Sequence, residues 1–533
     1  MKFVIDEFKK SSPGYDIYKK PKLLKRLRIE CRKGKESLSF SKNSINIHLE
    51  INDDNDVNVM LTHEKFVDLS KDLINKAIGF VDEALNSAQL TTDQIDYVIL
   101  VGGSSKIQLI QQSLEKKFSK KKLKFDINPN EAIAIGAAID AANSTTVRIG
   151  PVLYKTTKNI GIGLGTTYSC VAIVQNGRPY VISTDEGRNT LPSVVAFIDC
   201  EILVGNPALY YNTDMTNVLY DSRRLIGWHV LNDLPMAEDR QLWTLNFDTR
   251  NNCAGYVLNK GTLNEKFILP EEVSAEILKS WKNQVEKYTS QKMAKAVITI
   301  PAWFTDSQKI ATKKAAQLAG IELKDLLQEP IAAAIAYNER FKFGYSKLLV
   351  FDLGGGTLNI SVVEAKNSNF DIKAIAGDAH LGGQDFDSRI MKFVINEFKR
   401  SSPGYDIYKK PKLLKRLRIK CREAKEALSS SNNLINVHLD INDDLEINVR
   451  LTKEKFNELC NDLFEKAMIF VDRALNMAKL SPEKIDHVIL VGGSTRIPQI
   501  EQKLVVKFGK DKLKFDINPD EVVAHGAAIA ANI

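Results

Sequence analysis

Cysteine is scarce in this sequence: six among 533 residues, at positions 31, 170, 200, 253, 421 and 460. No two of them have zinc-ligand spacing or the close pairing of a disulfide scaffold, so reduced thiols in a cytosolic protein are the simplest account. No apolar run is long enough to cross a bilayer. The opening residues, Met1-Lys2-Phe3-Val4-Ile5-Asp6-Glu7, are too charged for a signal peptide, and the chain is expected in the cytosol, with the nucleus as the other compartment. Neither sign of charge dominates, since 74 basic residues against 66 acidic ones leave a net charge of +8. The basic clusters Lys19-Lys20-Pro21-Lys22 and Lys120-Lys121-Lys122 carry no interleaved aromatic residues to stack on bases. A solvated surface is therefore expected there, not a nucleic-acid interface.

What is present is an ordinary globular composition, 44% hydrophobic and 26% charged, in a chain too long for one core. The stretch that organises it is Leu348-Leu349-Val350-Phe351-Asp352-Leu353-Gly354-Gly355-Gly356-Thr357, followed by the alternating Leu358, Ile360 and Val362. This pattern predicts two strands joined by a tight turn. Three glycines without Cβ atoms let a ligand approach the backbone, whose N–H groups can then form an anion-binding concavity. Asp352, at the end of its strand beside that concavity, is placed to hold a hydrated Mg²⁺. A turn without a ligand is the alternative for one such stretch alone. A second copy of the device, Asn159-Ile160-Gly161-Ile162-Gly163-Leu164-Gly165-Thr166-Thr167-Tyr168, points to two lobes facing each other across a nucleotide.

These turns resemble those of the ATPase domain of the seventy-kilodalton heat-shock chaperones. So do Arg224-Leu225-Ile226-Gly227, Ile300-Pro301-Ala302, Glu329-Pro330-Ile331-Ala332-Ala333-Ala334, His380-Leu381-Gly382-Gly383 and Val491-Gly492-Gly493-Ser494-Thr495-Arg496-Ile497-Pro498. The resemblance implies an α/β protein of the actin-like ATPase fold: two lobes, each with a ribonuclease-H-like mixed sheet flanked by helices, around a nucleotide cleft. It implies ATP or ADP with Mg²⁺ as cofactors, and J-domain proteins and nucleotide-exchange factors as co-chaperone partners. By position, Gly165, Thr166, Thr167, Tyr168, Gly354, Gly355, Gly356 and Thr357 would hold the phosphates. Lys425, Ser429, Gly492, Gly493, Ser494, Arg496, Ile497 and Asp520 would hold the adenosine. Asp352 and, through water, Glu329 would hold the metal, and Glu329, Asp352, Arg223 and Thr357 would serve catalysis. A plain capping carboxylate is the other reading of Glu329, at a helix entrance before Pro330.

Three departures from the resemblance bear on catalysis. The family turn reads Gly-Ile-Asp-Leu-Gly-Thr-Thr, where this chain has Gly163 in place of the acidic residue. Its Gly-Gly-Gly-Thr-Phe-Asp becomes a run ending in Leu358 and Asn359. Its water-positioning lysine falls at Arg223, a bulkier planar cation. Slow or absent turnover with retained binding is therefore expected. A nucleotide-dependent interaction module without enzymatic activity is the alternative, and a sugar kinase of the same fold is disfavoured by the chaperone-like motifs.

Residues 1–143 repeat the last quarter of the chain at a constant offset of 390, Ser11 to Ile29 recurring unchanged as Ser401 to Ile419. This copy has no phosphate turn and lacks the strands that would cover its apolar faces, which suggests a non-catalytic remnant. The expected organisation is thus 1–143 as the partial duplicate, 144–158 as a linker, 159–343 as the first lobe and 344–533 as the second. The resemblance stops with the ATPase domain, so no client-peptide domain is expected in this chain.

Overall fold

The computed structural model describes residues 1–12, 15, 17–40, 44–51, 56–124, 156–175, 177–198, 201–211, 215–228, 246–430, 434–442 and 445–533. The chain divides into two compact units, one of Met1–Leu153 with Asp185–Gly187 and the other of Tyr154–Thr184 with Arg188–Ile533. The polar stretch expected as a linker lies, over 144–155, outside the described residues. Thr156–Lys158 open the first strand of the larger unit.

The larger unit is built on two sheets of one plan. In the first, strands Arg178–Val181, Tyr168–Gln175 and Thr156–Leu164 form an antiparallel meander, which Ala296–Ile300 and Leu323–Gln328 extend in parallel. In the second, Asn369–Asp378, Leu358–Lys366 and Tyr345–Leu353 form the meander, and His487–Val491 and Leu513–Lys514 extend it in parallel. This is the mixed α/β architecture of the actin-like ATPase fold.

The near-continuous apolar run Leu348 to Leu353 follows from burial on both sides of the second sheet. Leu349, Phe351 and Leu353 join the core made with the helices that follow, Gly383–Ser401, Pro411–Ser430 and Lys453–Met477. Leu348 and Val350, pointing the other way, pack with the alanine-rich helix Glu329–Phe341. The first sheet is covered likewise. Ile160, Ile162 and Val171 face helix Pro270–Thr289 with its buried Trp281, while Cys170 and Ala172 meet the C-terminal helix Val522–Ala531. That last helix runs so close to the sheet that a Cβ at Gly161 would lie 2.0 Å from the amide nitrogen of Ala528. Thr305 caps Asp306–Leu318 by accepting from the Gln308 amide, and Pro270 sits in the first turn of its helix.

The smaller unit follows, element for element, the order of residues 391–514. Helices Lys2–Ser11 and Pro21–Phe40, the hairpin Ile45–Glu50 with Asp56–Leu61, and helices His63–Ser87 and Gln108–Phe118 each have a counterpart 390 residues on. Burial is where the two differ. In the larger unit, helix Lys453–Met477 packs its apolar face on strands Leu358–Lys366 and Asn369–Asp378. In helix His63–Ser87, Leu73 is 72% exposed and Phe80 57% exposed, although Leu463, the counterpart of Leu73, is only 9% exposed. Ile99 is 70% exposed where its counterpart Ile489, held beside strand Tyr345–Leu353, is fully buried. Among the described residues of this unit no strands equivalent to 345–378 cover these side chains, and they face solvent.

Helix stability in proteins comes mostly from packing of the apolar face, so the two helices should open with different ease. Amide hydrogen exchange resolved by peptide is expected to be at least ~10-fold faster over 63–87 than over 453–477. Equal protection would mean that the face of 63–87 is covered in solution.

Candidate functional site

The two glycine turns terminate the central hairpins of the two sheets. Leu164 pairs with Ser169 in the first, Leu353 with Leu358 in the second, and the Gly354 N–H closes the second turn by donating to the Thr357 carbonyl at 3.1 Å. The turns meet tip to tip: a Cβ on Gly355 would lie 2.0 Å from Thr167 Oγ1. Only glycine permits that approach. A Cβ on Gly354, by contrast, would come no closer than 3.8 Å to any atom, so its backbone borders open space. That space is a cleft of about 520 Å³.

All the residues assigned to phosphate, adenosine, metal or catalysis line this cleft except Gly356; of the three departures, Gly163 and Arg223 line it and Asn359 does not. Gly356 is turned toward the first lobe, where its carbonyl accepts from Arg224 Nη2 at 2.8 Å and a Cβ would strike the guanidinium. Arg224 also donates to the Ala379 carbonyl at 2.6 Å, so it staples the phosphate turn to the segment before helix Gly383–Ser401. Behind the turn, Gly383 N–H donates to the Gly354 carbonyl at 2.9 Å and Gln384 N–H to that of Gly355 at 2.8 Å.

On the cleft floor, Asp352 ends its strand directly opposite Asn359. Burial pushes the Asp352 carboxyl up to about 7, helped by the Glu329 carboxylate and opposed by the Arg223 guanidinium and a hydrogen bond from Asn359. Arg223 Nη2 donates to Glu329 Oε1 in a close ion pair, and its guanidinium lies over the Phe304 ring, 5.7 Å from the centroid. Asn359 is buried, and its Oδ1 accepts from Trp303 Nε1 at 2.7 Å. Gly163 faces helix Val522–Ala531, and a Cβ there would lie 2.9 Å from Val523 Cγ2.

The opposite wall comes from helix Pro411–Ser430 and the turn after strand His487–Val491. Lys425 Nζ lies 2.8 Å from Asp387 Oδ1 and donates to the Gly383 carbonyl at 2.8 Å. Arg422 reaches Asp387 Oδ2 at 3.4 Å and the Tyr168 hydroxyl, on the first lobe, at 3.5 Å. Burial works against the charge of Arg422, but Asp387 and Tyr168 together outweigh it and keep the guanidinium more basic than usual. Ser494 Oγ donates to the Gly354 carbonyl at 2.9 Å, tying this wall to the phosphate turn. Gly492, in a left-handed conformation at φ 83°, packs so tightly that a Cβ would sit 2.4 Å from the Leu353 carbonyl oxygen. Arg496 is half-exposed at the rim, oriented by Asp520 at 2.7 Å and by Asn518.

The sequence reading missed Asp387, Gln384, Arg422 and Glu426, all of which line the cleft. A signal existed for two of them: Arg422, Lys425, Glu426 and Ser429 fall at i, i+3, i+4 and i+7, one face of a helix. Nothing local marked Asp387, which matters because two cations converge on it.

A family model described as "Hsp70 protein" matches residues 1–153 and again 159–533. Curated relatives include "Heat shock cognate 70 kDa protein 3" of Dictyostelium discoideum, 40% identical over 381 residues, or 70% of this chain and 60% of that protein. "Heat shock 70 kDa protein 2" of Paracoccidioides lutzii is 40% identical over 379 residues, 70% of this chain and 57% of its own. "Heat shock 70 kDa protein" of Neurospora crassa is 41% identical over 379 residues, with 70% and 58% covered. The chain thus spans 57–60% of the length of these relatives.

Proposed function

The chain belongs to the Hsp70 family, and from that membership we propose that its cleft binds ATP or ADP with Mg²⁺ and that its hydrolysis is strongly impaired. The carrying observation is the tip-to-tip meeting of two glycine turns across the cleft, with Lys425 and Arg496 on the facing wall. Backbone N–H groups of both turns would cradle the phosphates, with no dependence on the side chains in which this chain departs from the family. The Arg496 guanidinium, held by Asp520 and Asn518, presents a planar face to a purine. Lys425 and Ser429 would serve the ribose side.

Asp352, with Glu329 through water, would hold the metal, which when bound neutralises charge on the phosphates. Three features support impairment. Gly163 supplies no carboxylate. Asn359 supplies an amide whose oxygen is already engaged by Trp303. Arg223 and Glu329 neutralise each other, which draws Glu329 away from a metal-bound water. Family membership implies co-chaperones of the J-domain and exchange-factor kinds. Under this reading nucleotide binding is coupled to protein folding, in the cytosol or nucleus, and residues 1–143 are non-catalytic.

The test is calorimetric titration with ATP and Mg²⁺ across pH 5.5–8.5. One site per chain is expected, and its Mg²⁺ dependence should carry the titration of Asp352. The metal requires the carboxylate, so affinity should weaken by about tenfold per pH unit below about 7 and level off above it. For the protein free of metal and nucleotide the sign reverses. The folded state holds a proton that the unfolded chain has already lost, so stability falls as pH rises from about 4 to about 7. Absence of nucleotide binding at every pH would overturn the proposal.

A further inference from the structure

The hairpin Leu434–Asp440 with Glu446–Thr452, none of whose residues line the cleft, brings a histidine and two carboxylates together. His438 and Asp440 are two residues apart, so they share one face of their strand, and Glu446 is the register partner of Asp440 across the pair. The opposite face carries the buried Val437, Leu439, Ile447 and Val449, which leaves the three polar side chains on the outer face. There His438 Nε2 lies 3.3 Å from Asp440 Oδ1, and one ligand atom from each of the three residues falls within 4.8 Å of the others.

Like charges directly opposite each other on an antiparallel pair are destabilising, yet Asp440 and Glu446 occupy such a pair. Arg416, on helix Pro411–Ser430, donates from Nη2 to the main-chain carbonyl of Asp440 at 2.7 Å. The trio also recurs 390 residues earlier as His48, Glu50 and Asp56, with Glu50 opposite Asp56 in the same register. The two carboxylates have exchanged lengths between the copies, aspartate for glutamate at one position and glutamate for aspartate at the other. What is kept is a histidine and two opposed negative charges.

We propose that His438, Asp440 and Glu446 form a zinc site on the outer face of this hairpin, with water completing a four-coordinate shell. One imidazole nitrogen and two carboxylate oxygens suit Zn²⁺, which takes both donor types at about 2.0–2.2 Å. Mg²⁺ and Ca²⁺ are disfavoured because they select all-oxygen shells, and no thiolate is present to favour Cu(I). A cation seated between the carboxylates converts their repulsion into a ligand set. The site lies on the lobe carrying Lys425 and is separate from the nucleotide-binding groups proposed above, so it stands or falls independently of them.

The full chain, stripped of metal with a chelator, would be titrated with Zn²⁺ against a chromophoric zinc indicator, with millimolar Mg²⁺ and ADP present to occupy the cleft carboxylates. The same titration would be run on His438→Ala, on an Asp440→Asn, Glu446→Gln double variant, and on His48→Ala to count the site in the first copy. Loss of one bound zinc per chain in each of the first two variants is expected, whatever His48→Ala does. Far-ultraviolet circular dichroism matching wild type would show that these outward-facing changes leave the fold intact. Cobalt substitution should give the strong visible absorption of a four-coordinate site, and that band should vanish in His438→Ala. No zinc bound by the wild type, or unchanged stoichiometry in the first two variants, would overturn the assignment.

Discussion

Replacing Gly163 and Asn359 together by aspartate should raise single-turnover ATP hydrolysis at least ~100-fold while changing nucleotide affinity by less than about threefold. Phosphoryl transfer draws nearly all its catalysis from positioning and electrostatics, and a single preorganised group at the reacting centre is worth about 2–4 kcal/mol, or ~10²–10³ in rate. The two substitutions supply negative charge at the end of each central hairpin, where it can organise a metal and its waters. Both are sterically reasonable. A side chain at 163 needs only a small shift of one Val523 methyl, 2.9 Å from the position of the new Cβ. An aspartate at 359 keeps an oxygen to accept from Trp303 Nε1. Their effects should not add simply, because Asp352 sits directly across from position 359 and a second carboxylate there raises its proton affinity further. Asn359→Asp alone is therefore expected to help less than the pair. Wild-type turnover already equal to that of the double variant would refute impaired hydrolysis. A double variant that binds ATP but stays slow would shift the blame to the Arg223–Glu329 pair, and Arg223→Lys would then be added.

The second large effect is expected from Asp387, a residue that carries no motif. Its buried carboxylate is the counter-charge for Lys425, at 2.8 Å, and for Arg422, at 3.4 Å. Removing one partner of a buried ion pair costs about 3–5 kcal/mol, since it leaves uncompensated charge in a medium that solvates it poorly. Here two cations would be stranded, and the Lys425 ammonium would no longer be held against the Gly383 carbonyl, where it lines the cleft. Asp387→Ala should therefore lower stability by about 3–5 kcal/mol and weaken ATP binding by ~100-fold or more, read by urea unfolding followed by tryptophan fluorescence and by calorimetry. Asp387→Asn, which keeps shape and one acceptor, should recover part of the stability and little of the affinity. A loss below about 1 kcal/mol in the alanine variant would show that water penetrates the site and screens these charges.

Much of the larger unit was legible because its signals are local. Three glycines between two apolar runs give a hairpin whatever surrounds them, and Thr305 with Gln308, or Pro270 with Glu272, mark helix starts within four residues. Less legible were contacts that depend on two distant segments. Asp387 reads as one more acidic residue in an amphipathic helix until the helix carrying Arg422 and Lys425 lies across it. That Gly356 turns from the cleft depends on Arg224, 132 residues away. The small sheets of strands Val194–Ile198, Glu201–Val204 and Val218–Tyr220, and of Phe247–Arg250, Cys253–Leu258 and Lys266–Ile268, were not anticipated, since their strands are short and lack strict alternation. The exposure of helix His63–Ser87 had no local signal, since its sequence pattern is that of its buried counterpart. That Leu73, Phe80 and Ile99 face solvent required the structure.

The bare face of helix His63–Ser87 has a consequence on the ribosome. Translation delivers residues 1–124 long before strands Tyr345–Asp378, and those strands before the segment that buries them in the folded protein. Strand His487–Val491 is complete 113 residues after Asp378, so at about 5–20 residues per second roughly 6–23 s pass in which residues 63–99 are made and 453–491 are not yet complete. The face exposed on Leu73, Phe80 and Ile99 matches what those strands will meet again at Leu463, Phe470 and Ile489. Residues 63–99 are thus made before 453–489 with the same three apolar side chains at corresponding positions, and any competition between the two segments would be read as a fraction of nascent chains slow to reach the paired sheet.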